Sequence, residues 1–183
     1  MTDVRAPSGP RLLVTGARPS YADHLARHGP LPQVAPHRLV ALLYEAGLTG
    51  RGGAAFPVWR KLEVAVAADR PVVVGNAAEG EPASVKDRVL LEANPQLVLD
   101  GLELVAAAAG AERAVLCARE GATQVAAERA VADRTVAREG RCAVEVVTVP
   151  RRFLAGEESA LAQLVGGGPA LPRTPPVWQS GVR

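Results

Sequence analysis

The sequence contains few cysteines and few aromatic residues, and each shortage limits what the protein can be. Cys117 and Cys142 are far apart and belong to no Cys-x-x-Cys pattern, so the sequence has no thiolate signature of a zinc or iron–sulfur site. We interpret both as small buried apolar residues. Aromatic residues make up 3% of the chain although 48% of it is hydrophobic, so the core must be built mainly from Ala, Val and Leu.

Long apolar runs and a strong net charge are also absent. No apolar stretch is long enough to span a membrane, and the first residues lack the charged-then-apolar pattern of a signal peptide. The formal net charge of +2 is too small to favour nucleic acid as a partner. We therefore expect one domain with no direct membrane insertion and no nucleic-acid partner.

Glycine, in contrast, is concentrated in the stretch Gly50-Arg51-Gly52-Gly53, which is followed by Phe56, Pro57 and Lys61. Glycine lets the backbone approach a ligand closely, and successive N–H groups in such a loop form an anion site. Pro57 suits the first turn of a helix, and Lys61 would then offer its ammonium group to a phosphate. A glycine-rich surface loop without a ligand is the plainer alternative. The loop lacks the Gly-x-x-x-x-Gly-Lys-Ser/Thr pattern of P-loop NTPases.

Apolar runs alternate with helical patterns along the chain. The predicted strands are Pro71–Val74, Ala114–Ala118 and Ala143–Val149. Helices are predicted from Pro36 to Gly47, from Pro57 to Ala68, after a Ser84 cap, from Asn94-Pro95 to Gly110, from Gly121 to Arg138, and after Gly156. This alternation predicts an α/β fold with a mainly parallel sheet flanked by helices.

The three histidines, His24, His28 and His37, lie early in the sequence and match no metal-ligand spacing. We interpret them as surface residues. They also leave the later polar segments without a nearby histidine, which disfavours a Ser-His-Asp mechanism.

Two polar loops follow the first and third predicted strands, at Asn76–Pro82 and Arg151–Glu158. Ligands of parallel sheets bind beyond the carboxyl ends of the strands, so we expect these loops to converge on one site. Asn76 can bond an amide or a ring edge, and Phe56 can stack on a planar base.

Four glutamates lie in these loops: Glu79, Glu81, Glu157 and Glu158. Carboxylates at such positions can accept hydrogen bonds from ribose or ribityl hydroxyls. Solvated charge is the alternative, and helix capping is a further one for Glu157 and Glu158. Together with the glycine loop, these residues describe a nucleotide or flavin site without an acid–base triad.

Three blocks of the sequence resemble the FMN- and NADH-binding subunit of NADH–quinone oxidoreductase and its relatives in NAD-reducing hydrogenases and formate dehydrogenases. The blocks are Gly50–Pro57 with Lys61, Asn76–Pro82 with Lys86-Asp87-Arg88, and Gly156–Leu161. The resemblance covers the chain from about Leu39 to Arg183. It implies a Rossmann-like three-layer domain at residues 37–168. Composition predicts a partly flexible segment 1–36 before this domain and an extended proline-rich tail 169–183 after it. The resemblance implies that this tail begins a truncated continuation.

The resemblance implies the cofactors FMN and NAD, the latter as NADH, with hydride transfer between them. Phe56 is implied to stack on the adenine, Glu81 and Glu158 to lie near the dinucleotide, and Glu157 and Glu158 to be the catalytic residues. The full set of implied cofactor-binding residues is Gly50, Arg51, Gly52, Gly53, Phe56, Lys61, Asn76, Glu79, Gly80, Glu81, Phe153, Gly156, Glu157 and Glu158.

The sequence departs from the family pattern at four positions. Ala55 replaces a glycine, Ala78 an aspartate, Phe153 a tyrosine and Ala155 a cysteine. The aspartate at position 78 would be a ribityl contact, so its loss removes support for the flavin.

The family's iron–sulfur domain follows the part that this sequence resembles, so we expect no iron–sulfur cluster in this chain. Electrons would then leave to an iron–sulfur protein or a sister subunit, in the cytoplasm or at a membrane through a complex. A non-catalytic remnant or interaction module, with the same fold and no flavin, is the alternative.

Overall fold

The computed structural model describes residues 12–13, 19–50, 55–81, 83–137 and 142–173. At its centre lies a parallel sheet in the order β1-β2-β3, formed by β1 (Val72–Ala77), β2 (Arg113–Arg119) and β3 (Ala143–Val149). The helices in these residues are α1 (Tyr21–His28), α2 (Pro36–Glu45), α3 (Val58–Val66), α4 (Lys86–Ala93), α5 (Pro95–Ala109), α6 (Ala122–Ala137), α7 (Glu158–Val165) and a 3₁₀ helix at Phe153–Gly156. The α/β class and the parallel sheet are confirmed.

Strand β2 shows why the fold has three layers. Its side chains alternate, so Leu116 packs into one apolar cluster and Cys117 into another on the opposite face. The first cluster includes residues of α4, α5 and α6, whereas Leu161 of α7 belongs to the second. Burial, with a smaller contribution from Glu145, raises the pKa of Cys117 to about 11, which confirms its interpretation as a buried apolar residue.

Strand β1 extends beyond its predicted end. Gly75, Asn76 and Ala77 continue the strand because they pair in register with Leu116, Cys117 and Ala118 of β2. The prediction that the strand breaks at Gly75 was therefore wrong, and Asn76 lies at the end of a strand rather than in a loop. Strand β3 has its predicted bounds, and β2 is one residue longer at each end.

The predicted cap of α4 was also wrong. Helix α4 begins at Lys86, and Val85 occupies the N-cap position without a side-chain hydrogen bond. Ser84 lies one residue too early to cap this helix, and its side chain bonds to Glu79 instead. Among the helices in the described ranges, none is both long and apolar enough to cross a membrane.

Helix α1 lies in the segment 1–36, for which no helix was predicted. It begins with a capping box, in which Asp23 N donates to Ser20 Oγ at 3.1 Å and Ser20 N donates to Asp23 Oδ2 at 2.9 Å. The surface assignment of His24 was wrong, because this side chain is buried and its Nε2 lies 2.8 Å from Asp100 Oδ2. His37, in contrast, is exposed as predicted.

A buried polar network fixes this part of the fold, and Arg134 is its centre. The guanidinium donates through Nε to Gln96 Oε1 at 2.7 Å and through Nη1 to Glu103 Oε1 at 2.8 Å. It also donates to Asp100, which in turn contacts His24 of α1. Charged and polar groups therefore attach helix α1 to α5 and α6.

The lowered pKa of His28, the last residue of α1, predicts a loss of folding stability in mild acid. Burial lowers the pKa of His28, and the neighbouring charges of His24 and Arg27 lower it further, against an opposing effect of Asp100. Below pH 6.5, the ordinary pKa, the unfolded chain therefore binds more protons at His28 than the folded chain, and the free energy of unfolding falls. Urea unfolding across pH 5–8 measures this slope.

The variant His28→Gln should flatten that slope, because it removes the titrating group. His37→Gln is the matched control, since His37 is an exposed histidine on α2. A slope that is unchanged in His28→Gln, or equally reduced in both variants, would contradict the assignment.

Candidate functional site

The carboxyl ends of the strands bring the two polar loops together, as predicted. Asn76 makes the connection at the end of β1. Its Nδ2 donates to the carbonyl of Gly156 at 2.9 Å, and its Oδ1 accepts from Ala78 N at 3.0 Å. The side chain therefore links the segment after β1 to the 3₁₀ helix after β3, and it remains exposed.

Two glycines allow these segments to touch through their backbones. A Cβ at Gly80 would lie 2.5 Å from the carbonyl oxygen of Phe153, and a Cβ at Gly156 would overlap the carbonyl oxygen of Ala78. Neither glycine has a positive φ, so the requirement is for space rather than for backbone conformation. Glycine at positions 80 and 156 is therefore required for the two loops to pack against each other, whatever ligand the site binds.

Before α3, the residues at the two ends of the glycine-rich segment pair with each other. Gly50 N donates to the carbonyl of Phe56 at 2.9 Å, and Thr49 pairs with Pro57 in an antiparallel bridge. The predicted ligand residues Arg51, Gly52 and Gly53 lie outside the described residues.

Lys61, Phe56 and Glu158 come together next to this backbone pairing. Lys61 Nζ donates to Glu158 Oε1 at 3.1 Å and lies 5.9 Å from the centre of the Phe56 ring. The contact joins α3 to α7 across 97 residues of sequence. Three residues from two separate sequence blocks are therefore neighbours, and all three are exposed.

Glu157 caps helix α7, as the capping alternative predicted. Its Oε2 accepts from Ser159 N at 3.0 Å and from Ala160 N at 3.2 Å. Burial would raise the pKa of Glu157, but hydrogen bonds from Ser159 and Ala160 outweigh it and hold this pKa below its ordinary value. The carboxylate therefore stays ionised and fixes the start of the helix that carries Glu158.

Glu79 is likewise engaged by neighbouring residues, whereas Glu81 is exposed. Lys86 Nζ lies 3.0 Å from Glu79 Oε2 and 2.9 Å from Asp87 Oδ1. Burial would raise the pKa of Glu79, but hydrogen bonds from Ser84 and Lys86 outweigh it and lower this pKa. Of the two lysines, Lys86 thus holds the loop after β1, and Lys61 is the one beside Phe56.

Sequence reasoning missed Arg119, the last residue of β2. Its guanidinium donates to the carbonyl oxygen of Glu79, between the two converging loops. The signal was present in the sequence, because Arg119 directly follows a predicted buried strand at the same edge of the sheet.

The positions that depart from the family pattern fall in different environments. Ala78 and Ala155 are buried in the same apolar cluster, together with Cys117 and Leu161. Phe153 is 70% exposed, so its ring is available to a ligand. At both positions an alanine methyl group is buried where the family pattern has a polar or polarisable side chain.

Ala55 adopts a positive φ of 43°, which is unfavourable for any residue with a Cβ. We expect Ala55→Gly to raise the free energy of unfolding, because relief of about 1–2 kcal/mol of left-handed strain exceeds the about 0.4–1 kcal/mol cost of a more flexible unfolded chain. Chemical denaturation measures the difference. The control Ala107→Gly, on an exposed position of α5, should instead destabilise by about 1 kcal/mol. Equal destabilisation by both changes would show that Ala55 is unstrained.

Comparison with known proteins identifies the group to which this site belongs. The model of the Nuo51 FMN-binding domain matches residues 43–183. The chain belongs to this family. The match contains all three sequence blocks and every site residue described above.

Members of larger assemblies are among the relatives of this Nuo51-type chain. An NADH-quinone oxidoreductase subunit of Rhizobium meliloti (strain 1021) is 34% identical over 161 residues, which are 80% of this chain and 38% of that protein. The NAD-reducing hydrogenase HoxS subunit alpha of Cupriavidus necator is 29% identical over 158 residues, or 77% of this chain and 26% of that protein.

A solved structure supports the same grouping. A chain of an NAD+-reducing NiFe-hydrogenase in the H2-reduced state superposes with a TM-score of 0.67 at 32% identity, covering 87% of this chain and 30% of that one. The Nuo51-type chain thus spans less than two fifths of each of these three proteins.

Proposed function

We propose that this chain is a flavin-dependent NADH-oxidising domain, in which a hydride passes from NADH to FMN. Two sets of contacts carry the proposal, in a chain of the Nuo51 FMN-binding family. Asn76, at the carboxyl edge of the sheet, bonds to Gly156, and two residues further on Glu158 bonds to Lys61, which lies beside Phe56. That edge is where parallel sheets bind nucleotides.

The side chains at this edge fit the chemistry of FMN, which combines a flat ring, a polyol and a phosphate. Lys61 supplies a compact positive charge for the phosphate. Asn76 is exposed and its amide can bond further, while the ring of Phe153 offers an exposed flat surface. When bound, the flavin supplies the hydride acceptor, and the protein supplies binding and orientation.

The remaining residues are assigned to the dinucleotide and to positioning. Phe56, 44% exposed, is assigned to the adenine, and the exposed carboxylates of Glu81 and Glu158 to ribose hydroxyls. Glu157 is assigned to positioning the start of α7, because its Oε2 accepts hydrogen bonds from the amides there. We place Gly50, with Arg51, Gly52 and Gly53, at the phosphate.

The partner in this proposal is an iron–sulfur protein or a sister subunit that accepts the electrons. Two cysteines are fewer than the four ligands that a cluster normally requires, so we propose that this chain holds none. Its relatives are named as subunits of a quinone oxidoreductase and of a hydrogenase.

Buried methyl groups favour one alternative, a remnant that keeps the fold without flavin. Ala78 and Ala155 are 4% and 1% exposed, so neither can replace the polar contact that the family pattern has at position 78. An interaction module would retain the loop contacts of Gly80, Gly156 and Asn76 but would not need Lys61.

Anaerobic reduction tests the proposal directly. The chain is loaded with FMN, mixed with NADH without oxygen, and followed by the absorbance of the oxidised flavin. We expect the absorbance to bleach and to return when ferricyanide is added. Flavin that stays bound and oxidised in the presence of excess NADH would contradict NADH oxidation and leave only flavin binding.

A further inference from the structure

The ion pair between Lys61 and Glu158 occupies the place where the proposed site needs a free ammonium group. Lys61 Nζ donates to Glu158 Oε1 at 3.1 Å, on the side of the site that carries Phe56. A phosphate that approaches Lys61 therefore meets a carboxylate already bound there.

The ion pair between Lys61 and Glu158 can be broken at low cost in stability. The side chains of Lys61 and Glu158 are 56% and 69% exposed, and ion pairs at such exposure contribute little to stability. Glu158 is also not needed to cap its helix, because Glu157 already accepts from the amides of Ser159 and Ala160. The Glu158 carboxylate can therefore leave Lys61 without disturbing α7.

We propose that Glu158 is an exchangeable counter-ion of Lys61, which the phosphate of FMN displaces. Without phosphate, the carboxylate holds the lysine beside Phe56 and neutralises it. Once the phosphate takes Lys61, Glu158 is released as a hydrogen-bond acceptor for the ribose of the dinucleotide. The site thereby favours flavin nucleotide over uncharged flavin and orders binding, with FMN before NADH. This inference rests on the proposed function and assigns its binding order.

Comparing FMN with riboflavin isolates the phosphate, because riboflavin has the same ring and polyol without it. Flavin fluorescence at low ionic strength gives the Kd of each for the wild type, Glu158→Gln and Lys61→Met. We expect Glu158→Gln to tighten FMN by up to about fivefold, the strength of an exposed ion pair, and to leave riboflavin unchanged. Lys61→Met should weaken FMN about tenfold, again without effect on riboflavin.

Two controls distinguish the displacement of Glu158 from Lys61 from a general effect of net charge on FMN binding. In the Lys61→Met background, Glu158→Gln should no longer change the Kd of FMN. Glu145→Gln makes the same change in net charge and breaks another exposed pair, with Arg113 at 2.6 Å, toward the amino-terminal end of the strands. It should leave the Kd of FMN unchanged.

Several outcomes would overturn the exchange. They are weaker FMN binding in Glu158→Gln, equal changes for FMN and riboflavin, or the same tightening in Glu145→Gln. Each of these leaves flavin binding intact, so the proposed function survives. Absence of binding for both flavins would instead remove the proposed function and the exchange together.

Discussion

Gly156→Ala is expected to abolish FMN binding and to lower the free energy of unfolding by about 1–3 kcal/mol, the usual cost of overpacking. The added Cβ would overlap the carbonyl oxygen of Ala78, a backbone atom that cannot turn aside. The 3₁₀ helix must then move away from β1, and the hydrogen bond from Asn76 to the carbonyl of Gly156 is lost. Thermal unfolding and FMN titration measure the two effects.

Gly101→Ala is the matched control, because it adds the same methyl group where space is free. A Cβ at Gly101 meets no atom within 4 Å, and the residue lies inside α5. This change should stabilise the protein by about 0.5–1 kcal/mol, since alanine is the better helix former. If Gly156→Ala were as stable as the wild type and bound FMN normally, the close contact of the loops would be disproved.

Arg134→Met is expected to lower the free energy of unfolding by about 3–5 kcal/mol, the usual cost of breaking a buried ion pair. Its side chain is 6% exposed and bridges Asp100 and Glu103, whose side chains are 16% and 1% exposed. Methionine fills much of the same volume but leaves both carboxylates without the guanidinium. Because Asp100 also contacts His24, we expect α1 to detach, with faster amide hydrogen exchange over Tyr21–His28.

Arg113→Met provides the comparison for an exposed pair. Arg113 contacts Glu145 at 2.6 Å, with side chains 44% and 51% exposed, so its loss should cost at most about 1 kcal/mol. Equal denaturation midpoints for Arg134→Met and Arg113→Met would contradict the structural role given to the buried network.

The strands could be predicted because each is a short run rich in valine or alanine that lies between charged, glycine or proline residues. Strand β3 was predicted with its true bounds, whereas β1 was predicted too short. Gly75 and Asn76 are poor strand formers by themselves, and they extend because β2 supplies backbone partners. Such pairing is a tertiary effect that local sequence does not contain.

Helix α1 was missed for a related reason. Its capping residues, Ser20 and Asp23, are visible in the sequence, but prolines flank them and the helix has only eight residues. Its buried residue is a histidine whose partner, Asp100, lies 76 residues away. Only the folded chain shows that His24 contacts the carboxylate of Asp100.

The site was predicted as a region but not as a set of contacts. Strand order alone indicated that the loops after β1 and β3 would meet, since carboxyl ends of parallel strands share one edge. It could not indicate that Lys61 pairs with Glu158, or that Arg119 bonds to the Glu79 carbonyl, because these pairs depend on side-chain geometry across distant segments.

Titration of the flavin-free chain with FMN, followed by flavin fluorescence, is the decisive test of whether this chain is a flavin domain. We predict saturable binding of one FMN per chain, which weakens as salt is added because Lys61 meets the phosphate at an exposed position. No saturable binding at high micromolar FMN, in a chain whose circular dichroism shows the folded α/β domain, would contradict it.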